Sequence, residues 1–175
     1  MKTTKNVVLA AMFAALSMII VLIIPSITPS PFTVTLGSHV PTMIGMFINP
    51  FVAVGTVIGS VIIFATKYPL VVPVRSATHA VFALAGSYII KKRGTGKLAL
   101  ALTWFVTLIL HVSLEIIVIS LMVADIRFVL PVSKADLPGF SAFLAGAVAF
   151  AVHHTIDFIL AATIARGLKK TKLID

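Results

Sequence analysis

Three apolar stretches in the second half of the chain each carry two ionisable residues four positions apart. The pairs are Arg75/His79, His111/Glu115 and His153/Asp157. Residues four apart lie on the same face of an α-helix, so each stretch presents a two-residue polar stripe. A charged side chain at the centre of a membrane costs on the order of 2.5–3.5 kcal/mol on insertion scales. We therefore expect the stripes to face inward, toward each other or toward a cavity.

The pair Arg75 and His79 is the best candidate for binding a solute, because it lies near one end of its stretch, where a pocket could open to water. A guanidinium group there could hold a carboxylate through two parallel hydrogen bonds. Structural alternatives remain, since an interfacial Arg75 can also reach lipid headgroups. The other polar residues can satisfy one another or cross-link helices: His111 with Glu115, and His153 and His154 with Asp157.

The sequence motifs give little support for a metal site, a catalytic nucleophile or a nucleotide-binding loop. Histidine and carboxylate residues four apart can ligate zinc, but the pattern of two histidines flanking a glutamate is absent and the chain has no cysteine. The run 94–97 (GTGK) lacks the earlier glycine and the following Ser/Thr of a phosphate loop. Ser38 and Ser113 have no nucleophile-elbow context. We expect no metal, no cofactor, no enzymatic activity and no ATP hydrolysis.

The composition indicates that lipid covers much of the chain. Of its 175 residues, 59% are hydrophobic and 11% are charged, whereas a soluble domain has about 25% charged residues. The net charge of +9 is distributed between apolar stretches, which indicates membrane topology and not binding of nucleic acid. The first apolar run, 7–24, is too long for the core of a signal peptide and no cleavage site follows it, so we expect it to be retained.

Apolar stretches and prolines predict an all-α integral membrane protein, a bundle of six transmembrane helices forming one domain, 1–175. A span needs about 20 mainly apolar residues, and shorter spans are tolerated inside a bundle. The predicted spans are approximately 7–24, 36–48, 51–66, 74–90, 98–124 and 139–165. The second and third share a short uncharged connection at Asn49-Pro50, so a re-entrant hairpin is the alternative for that pair.

The basic residues predict that both termini lie in the cytoplasm. With the N-terminus inside, ten basic residues lie in inner segments and four in outer segments, as the positive-inside rule requires. The inner ones are Lys2, Lys5, Lys91, Lys92, Arg93, Lys97, Arg166, Lys169, Lys170 and Lys172, and the outer ones are Lys67, Arg75, Arg127 and Lys134. Five or seven spans would place one of the two basic clusters outside.

Small residues mark two helix surfaces. Overlapping small-xxx-small patterns in the first span are formed by Ala10, Ala11, Ala14 and Ala15. They make a flat strip on which another polypeptide could pack. A third pattern, Gly55 and Gly59 in the third span, is sufficiently explained by packing inside the bundle.

Together these features resemble the substrate-binding S components of energy-coupling factor (ECF) vitamin transporters. The resemblance covers essentially the whole chain. It rests on the size, six spans with cytoplasmic ends, the alanine strip, the long uncharged first loop and the missing nucleotide motif. The run 36–44 (LGSHVPTMI), followed by 46–50 (MFINP), is similar to the start of the second span in S components of the nicotinate and pantothenate type.

The resemblance implies a multi-pass protein of a bacterial or archaeal plasma membrane. Such a protein binds a small water-soluble vitamin outside and delivers it inward with a transmembrane coupling (T) subunit and two cytoplasmic ATPases. It implies that the T subunit docks on the alanine strip. Carried onto this chain, the vitamin pocket would comprise Gly37, Ser38, His39, Arg75, His79, His111, Glu115 and His153. Few aromatic residues are available to it, which disfavours riboflavin- or thiamine-like ligands and favours a small anionic vitamin held by Arg75, such as nicotinate or pantothenate.

Two other functions remain open from the residues alone. In the first, the chain is a stand-alone proton-coupled carrier or channel with a relay of buried ionisable groups: His111, Glu115, His153 and Asp157. In the second, it is a small polytopic enzyme or metal protein.

Overall fold

The computed structural model describes residues 2–27, 32–35, 37–129 and 139–171, and its regular structure there is entirely α-helical. The six helices are α1 (Lys2–Ile23), α2 (Val40–Ile48), α3 (Pro50–Lys67), α4 (Val71–Arg93), α5 (Lys97–Val129) and α6 (Phe140–Lys170). The predicted all-α, six-helix membrane bundle is therefore confirmed. Some predictions fall outside the described residues, namely those on Leu36, Lys134, Lys172 and the side chains of Lys2 and Arg127.

Most helices extend beyond the apolar stretches that predicted them. α4 begins at Val71 and not at 74, because Pro73 lies in its first turn, where a proline costs no hydrogen bond. Within the described residues, four helices are long and apolar enough to cross a membrane by length and composition: α1, α3, α5 and α6. α4, with 23 residues, is also long enough to cross a membrane, but it is less apolar than these four helices because it carries Arg75 and a basic last turn.

The second predicted span, 36–48, differs most from the structure. Only Val40–Ile48 is helical, nine residues in all, which corresponds to about 14 Å of helix against a hydrocarbon core about 30 Å thick. The residues before it, 32–35 and 37–39, lie between α1 and α2 without helical structure; we call them the lead-in. Thr33, Val34 and Thr35 of the lead-in are each no more than 7% exposed. Non-helical backbone inside a membrane protein is tolerated where other parts of the protein surround it.

Two side-chain hydrogen bonds show the direction in which α2 and α3 run relative to α1. Asn49, just after α2, donates from Nδ2 to Asn6 Oδ1 near the start of α1 at 3.0 Å. Lys67, at the end of α3, donates from Nζ to the carbonyl oxygen of Val21 near the end of α1 at 2.7 Å. α2 therefore ends at the level where α1 begins, and α3 runs parallel to α1.

α2 occupies the centre of the bundle. It packs against α1, α3, α4 and α6, and its residues from Val40 to Phe47 are all buried. The turn into α3 is tight, because a Cβ atom on Gly45 would lie 2.8 Å from the Cα of Ala53. α1, by contrast, packs only against α2 and α3 within the described part of the chain.

The alanine strip of α1 is divided between two surroundings. Ala10 and Ala14 face α3, where they pack against Gly55 and Gly59, while Ala11 and Ala15 are exposed. A hydrogen bond of 3.1 Å between the Ser60 and Ser17 hydroxyls continues the same seam. The predicted internal role of the two glycines is thus confirmed. α3 therefore covers half of the predicted docking strip, Ala10 and Ala14, because its two glycines pack against the face of α1 that carries these alanines.

Replacing Gly59 by leucine tests this seam. A Cβ atom at Gly59 would lie 2.6 Å from the Cβ of Ala14, so the two helices must separate. We expect a loss of about 1–3 kcal/mol from overpacking, measured as a lower melting temperature of the detergent-solubilised protein. Gly167→Leu is the control, since nothing lies within 4 Å of a Cβ there. Equal melting temperatures for the two variants would contradict the seam.

Candidate functional site

All five histidines of the chain meet in one buried cluster. They come from the lead-in (His39), α4 (His79), α5 (His111) and α6 (His153 and His154), and none is more than 4% exposed. The ring of His39 lies at the centre, with its centroid 4.3 Å from that of His79, 4.7 Å from that of His111 and 4.5 Å from that of His153. The structure therefore brings the polar stripes of α4, α5 and α6 together around the lead-in.

Asp157 holds the lead-in in place. Its carboxylate accepts hydrogen bonds from the backbone N–H of Gly37 at 2.8 Å and of His39 at 3.1 Å. The turn needs a glycine, because the φ angle of Gly37 is +78°, a conformation that side chains disfavour. The predicted partner, His153, lies farther away, with 3.8 Å between its Nδ1 and Asp157 Oδ2. The lead-in backbone, and not the histidine on the same helix, is thus the main partner of Asp157.

Glu115 has three cationic or hydrogen-bonding neighbours. Arg75 Nη2 lies 3.0 Å from Glu115 Oε2, and His79 Nε2 lies 2.9 Å from Oε1. His111 Nε2 lies 3.3 Å from Oε2. These contacts join α4 to α5 through one carboxylate that is itself 2% exposed.

Arg75 points into the protein and does not reach toward headgroups. It is 3% exposed, and its Nη2 also donates to the carbonyl oxygen of Thr33 in the lead-in at 3.1 Å. Its guanidinium carbon lies 4.5 Å from the centroid of the Phe150 ring on α6. The interfacial alternative for Arg75 is therefore wrong. The guanidinium connects the lead-in, α4, α5 and α6.

A small cavity of about 20 Å³ lies beside these groups, enough for roughly one water molecule. Its lining consists of Thr33, Thr35, Ser38, His39, Phe64, Val72, Arg75, Ser76, His79, Glu115 and His153. Six of the eight predicted pocket residues therefore lie on its wall: Ser38, His39, Arg75, His79, Glu115 and His153. Gly37 and His111 lie behind it, in contact with Asp157 and Glu115. A ring-bearing ligand fits only if some of the lining side chains move.

Sequence reasoning missed five lining residues: Thr33, Thr35, Phe64, Val72 and Ser76. The hydroxyl residues had a usable signal, because they flank Arg75 or lie in a polar loop without charge. Phe64 and Val72 had no such signal, because the sequence does not show whether an apolar residue in an apolar span faces lipid or the interior of the bundle.

The lead-in closes one side of the site by packing on α6. The ring of Phe32 lies directly over Gly146, where any Cβ atom would overlap it. Phe32 also makes an edge contact with Phe143, with the ring centroids 5.4 Å apart. The glycine therefore provides the recess that seats the loop.

Comparison with known proteins gives one informative match. The chain is 31% identical over 184 residues to the niacin transporter NiaX of Lactococcus lactis subsp. cremoris (strain MG1363), and the match covers 98% of this chain and 78% of that protein. No family model matches the chain, and no solved structure matches it.

Asp157→Ala tests the anchoring of the lead-in. The variant leaves the N–H groups of Gly37 and His39 without their acceptor, at a cost of about 1–3 kcal/mol for the buried group of His39 and less for the half-buried group of Gly37. We expect a lower melting temperature and faster proteolytic cleavage between α1 and α2. Thr163→Ala, an exposed hydroxyl on the same helix, serves as the control. Cleavage as slow as in the wild type would show that Asp157 does not hold the segment.

Proposed function

Because the chain belongs to the substrate-binding S components of ECF vitamin transporters, and within them to the nicotinate type, we propose that it captures nicotinate outside the cell for delivery inward. The observation that supports this proposal most strongly is a buried guanidinium on the wall of a small cavity with many polar lining residues. Arg75 can present two parallel N–H groups to a carboxylate, the geometry that an arginine provides better than a lysine.

The hydroxyl groups around Arg75 also favour an anionic ligand. Thr33 Oγ1, Thr35 Oγ1 and Ser76 Oγ are buried and have no hydrogen-bond partner among the described residues. All three residues line the cavity. A buried polar atom without a partner costs about 1–3 kcal/mol, and a carboxylate could accept hydrogen bonds from such hydroxyls. A bound carboxylate would then give these hydroxyls an acceptor.

The size of the cavity favours nicotinate over pantothenate. Nicotinate is a single flat ring with one carboxylate, so it needs the smaller displacement of the lining. Its ring nitrogen can accept a hydrogen bond from an imidazole N–H, and Phe64 offers an aromatic wall. Pantothenate is longer and flexible, and it would require the lead-in to move much farther.

Entry requires the lead-in to lift. It covers the cavity with Thr33, Thr35, Ser38 and His39, and Phe32 seats it on α6. Once it has lifted, the incoming carboxylate competes with Glu115 and the Thr33 carbonyl for Arg75. Since a guanidinium has five N–H donors, Arg75 can retain Glu115 while it binds the vitamin.

Delivery depends on partners, because the chain lacks a nucleotide-binding motif. We propose that a T subunit and two cytoplasmic ATPases supply the energy, with both termini of this chain in the cytoplasm of a bacterium or archaeon. The docking surface would be the exposed half of the alanine strip, Ala11 and Ala15, because Ala10 and Ala14 already pack on α3. α1 is suited to this role, since two of the other five helices suffice to hold it.

A stand-alone proton-coupled carrier is the second candidate, favoured by the continuity of the buried network. Contacts run from Thr107 through His154, His111 and Glu115 to His79 and His39. Uptake into proteoliposomes that hold this chain alone, driven by a pH gradient, would favour the carrier over the S component.

Arg75→Gln should weaken nicotinate binding at least about thirtyfold, since truncating one member of a buried charge pair costs about 2–5 kcal/mol. Calorimetric titration of the detergent-solubilised chain, without ATP, measures this against one-to-one binding by the wild type. Arg93→Gln, an exposed arginine at the end of the same helix, should bind as the wild type does. Unchanged affinity in Arg75→Gln would remove the guanidinium from the site.

Ala11→Trp and Ala15→Trp should leave nicotinate binding intact and prevent co-purification with the ATPases, because a bulky ring prevents close approach of another helix. Ala101→Trp, an exposed alanine on α5, is the matched control and should co-purify normally. Full recovery of the ATPases with both α1 variants would place the docking surface elsewhere.

A further inference from the structure

Four potential metal ligands converge where the lead-in meets α4 and α5. One ring nitrogen from each of His39, His79 and His111 lies within 4.8 Å of the others. The two Nε2 atoms of His39 and His79 are 3.3 Å apart. Two nitrogens bound to the same tetrahedral zinc ion are separated by about 3.3–3.4 Å. Glu115 adds a carboxylate, with Oε1 at 2.9 Å from His79 Nε2 and Oε2 at 3.3 Å from His111 Nε2.

His111 is connected to two polar neighbours behind it. Its Nδ1 lies 3.0 Å from His154 Nδ1, and His154 Nε2 lies 3.1 Å from the Thr107 hydroxyl oxygen. In the tautomer in which His111 Nδ1–H donates to His154, Nε2 of a neutral His111 carries a lone pair and can bind a metal ion.

In that tautomer the lone pair of His111 Nε2 faces Glu115 Oε2, 3.3 Å away. Two facing lone pairs repel each other, and a metal ion bound by both atoms removes the repulsion. In the other tautomer Nε2–H donates to Glu115, so metal binding requires the first tautomer.

The surroundings of His39 favour the metal. Its Nδ1 is buried and has no hydrogen-bond partner in the described part of the chain. It lies 3.6 Å from Oδ2 of Asp157. A carboxylate behind the second ring nitrogen is the usual arrangement for a metal-bound histidine, because it orients the ring and makes it a better ligand.

We propose that His39, His79 and His111, with Glu115 beside them, bind one divalent transition-metal ion of the zinc, cobalt or nickel type. Imidazole nitrogens with one carboxylate suit these ions, whereas magnesium and calcium prefer oxygen ligands. His153 stands outside this set, since the ligand atoms with suitable spacing group it with His39 and Asp157 and not with His79 and His111.

The formal charges give the metal a role in vitamin binding, and this step rests on the proposed function. Arg75, Glu115 and Asp157 sum to −1 with neutral imidazoles, so an anionic vitamin would raise the buried charge to −2. Uncompensated buried charge is costly. A divalent ion changes the sum to +1, and one carboxylate then makes the site neutral. The metal would thereby make the pocket selective for an anion.

Metal binding is tested on the full-length, detergent-solubilised protein without vitamin. After its metal has been removed with a chelator, the protein is incubated with Zn²⁺, Co²⁺ or Mg²⁺ and dialysed; it should then retain one equivalent of Zn²⁺ or Co²⁺ by elemental analysis and no Mg²⁺. The Co²⁺ form should show the strong visible absorption of a tetrahedral site, and Zn²⁺ should raise the melting temperature. Absence of stoichiometric metal would overturn the proposal and favour the tautomer in which His111 Nε2–H donates to Glu115.

Variants assign the ligands. His79→Gln and His111→Gln should each lose the Co²⁺ absorption and bind Zn²⁺ at least about tenfold more weakly, whereas His153→Gln, the matched control from the same cluster, should keep both. The opposite pattern would place the ion between His39, His153 and Asp157, the other group in the described residues with suitable spacing, and overturn this assignment. A Zn²⁺-dependent rise in melting temperature that persists in His111→Gln would also overturn it.

Titrations with nicotinate and with its neutral amide separate the metal from the proposed function. The metal-loaded protein should bind nicotinate at least about tenfold more tightly than the chelated protein, while binding of the amide should change little. Metal retention without nicotinate binding in either state would refute the vitamin and leave the metal site standing. Equal nicotinate binding by both forms would refute the link between metal and vitamin.

Discussion

A carboxylate buried in a membrane protein is stable only when neighbouring groups compensate it, and the centre of this bundle is organised around that requirement. Glu115 on α5 is compensated by Arg75 and His79 on α4 and lies beside His111 on its own helix. The bond from Arg75 to the carbonyl oxygen of Thr33 adds the lead-in to the same assembly. Removing this carboxylate would leave a buried guanidinium without its ion-pair partner, so the site and the packing of α4 on α5 depend on each other.

Asp157 imposes the second constraint, and it explains why α2 is short. Its carboxylate binds the backbone N–H groups of Gly37 and His39, which a continuous helix would not present to a side chain. The lead-in must therefore remain non-helical until Val40. As a consequence, hydroxyls and an imidazole reach the interior from a loop. The same loop closes the site by seating Phe32 on Gly146, so one segment both lines and covers the cavity.

Several features follow from the sequence because they depend on local periodicity. The six helices, and the inward direction of the four-apart pairs on α4, α5 and α6, need only helix geometry and the cost of exposing charge to lipid. The partner of Asp157 could not be predicted, since Gly37 is 120 residues away and a nearer histidine competed for it. The sequence also could not predict which face of α1 packs on α3, because Ala10 and Ala11 belong to equivalent small-residue patterns and only the structure shows that α3 covers Ala10. The proposed metal-binding set could not be assembled from the sequence, because His39 and His79 come from different elements and sequence spacing reveals only ligands on the same element.

The central claim is that this buried polar cluster is a binding site for a small anion and not merely a seam that holds helices together. Native mass spectrometry of the protein, purified gently from cells grown with nicotinate, tests it most directly. We expect one bound molecule with the mass of nicotinate, exchangeable for an isotopically labelled copy. A protein that carries no small molecule, and acquires none from an excess of nicotinate, would contradict the account.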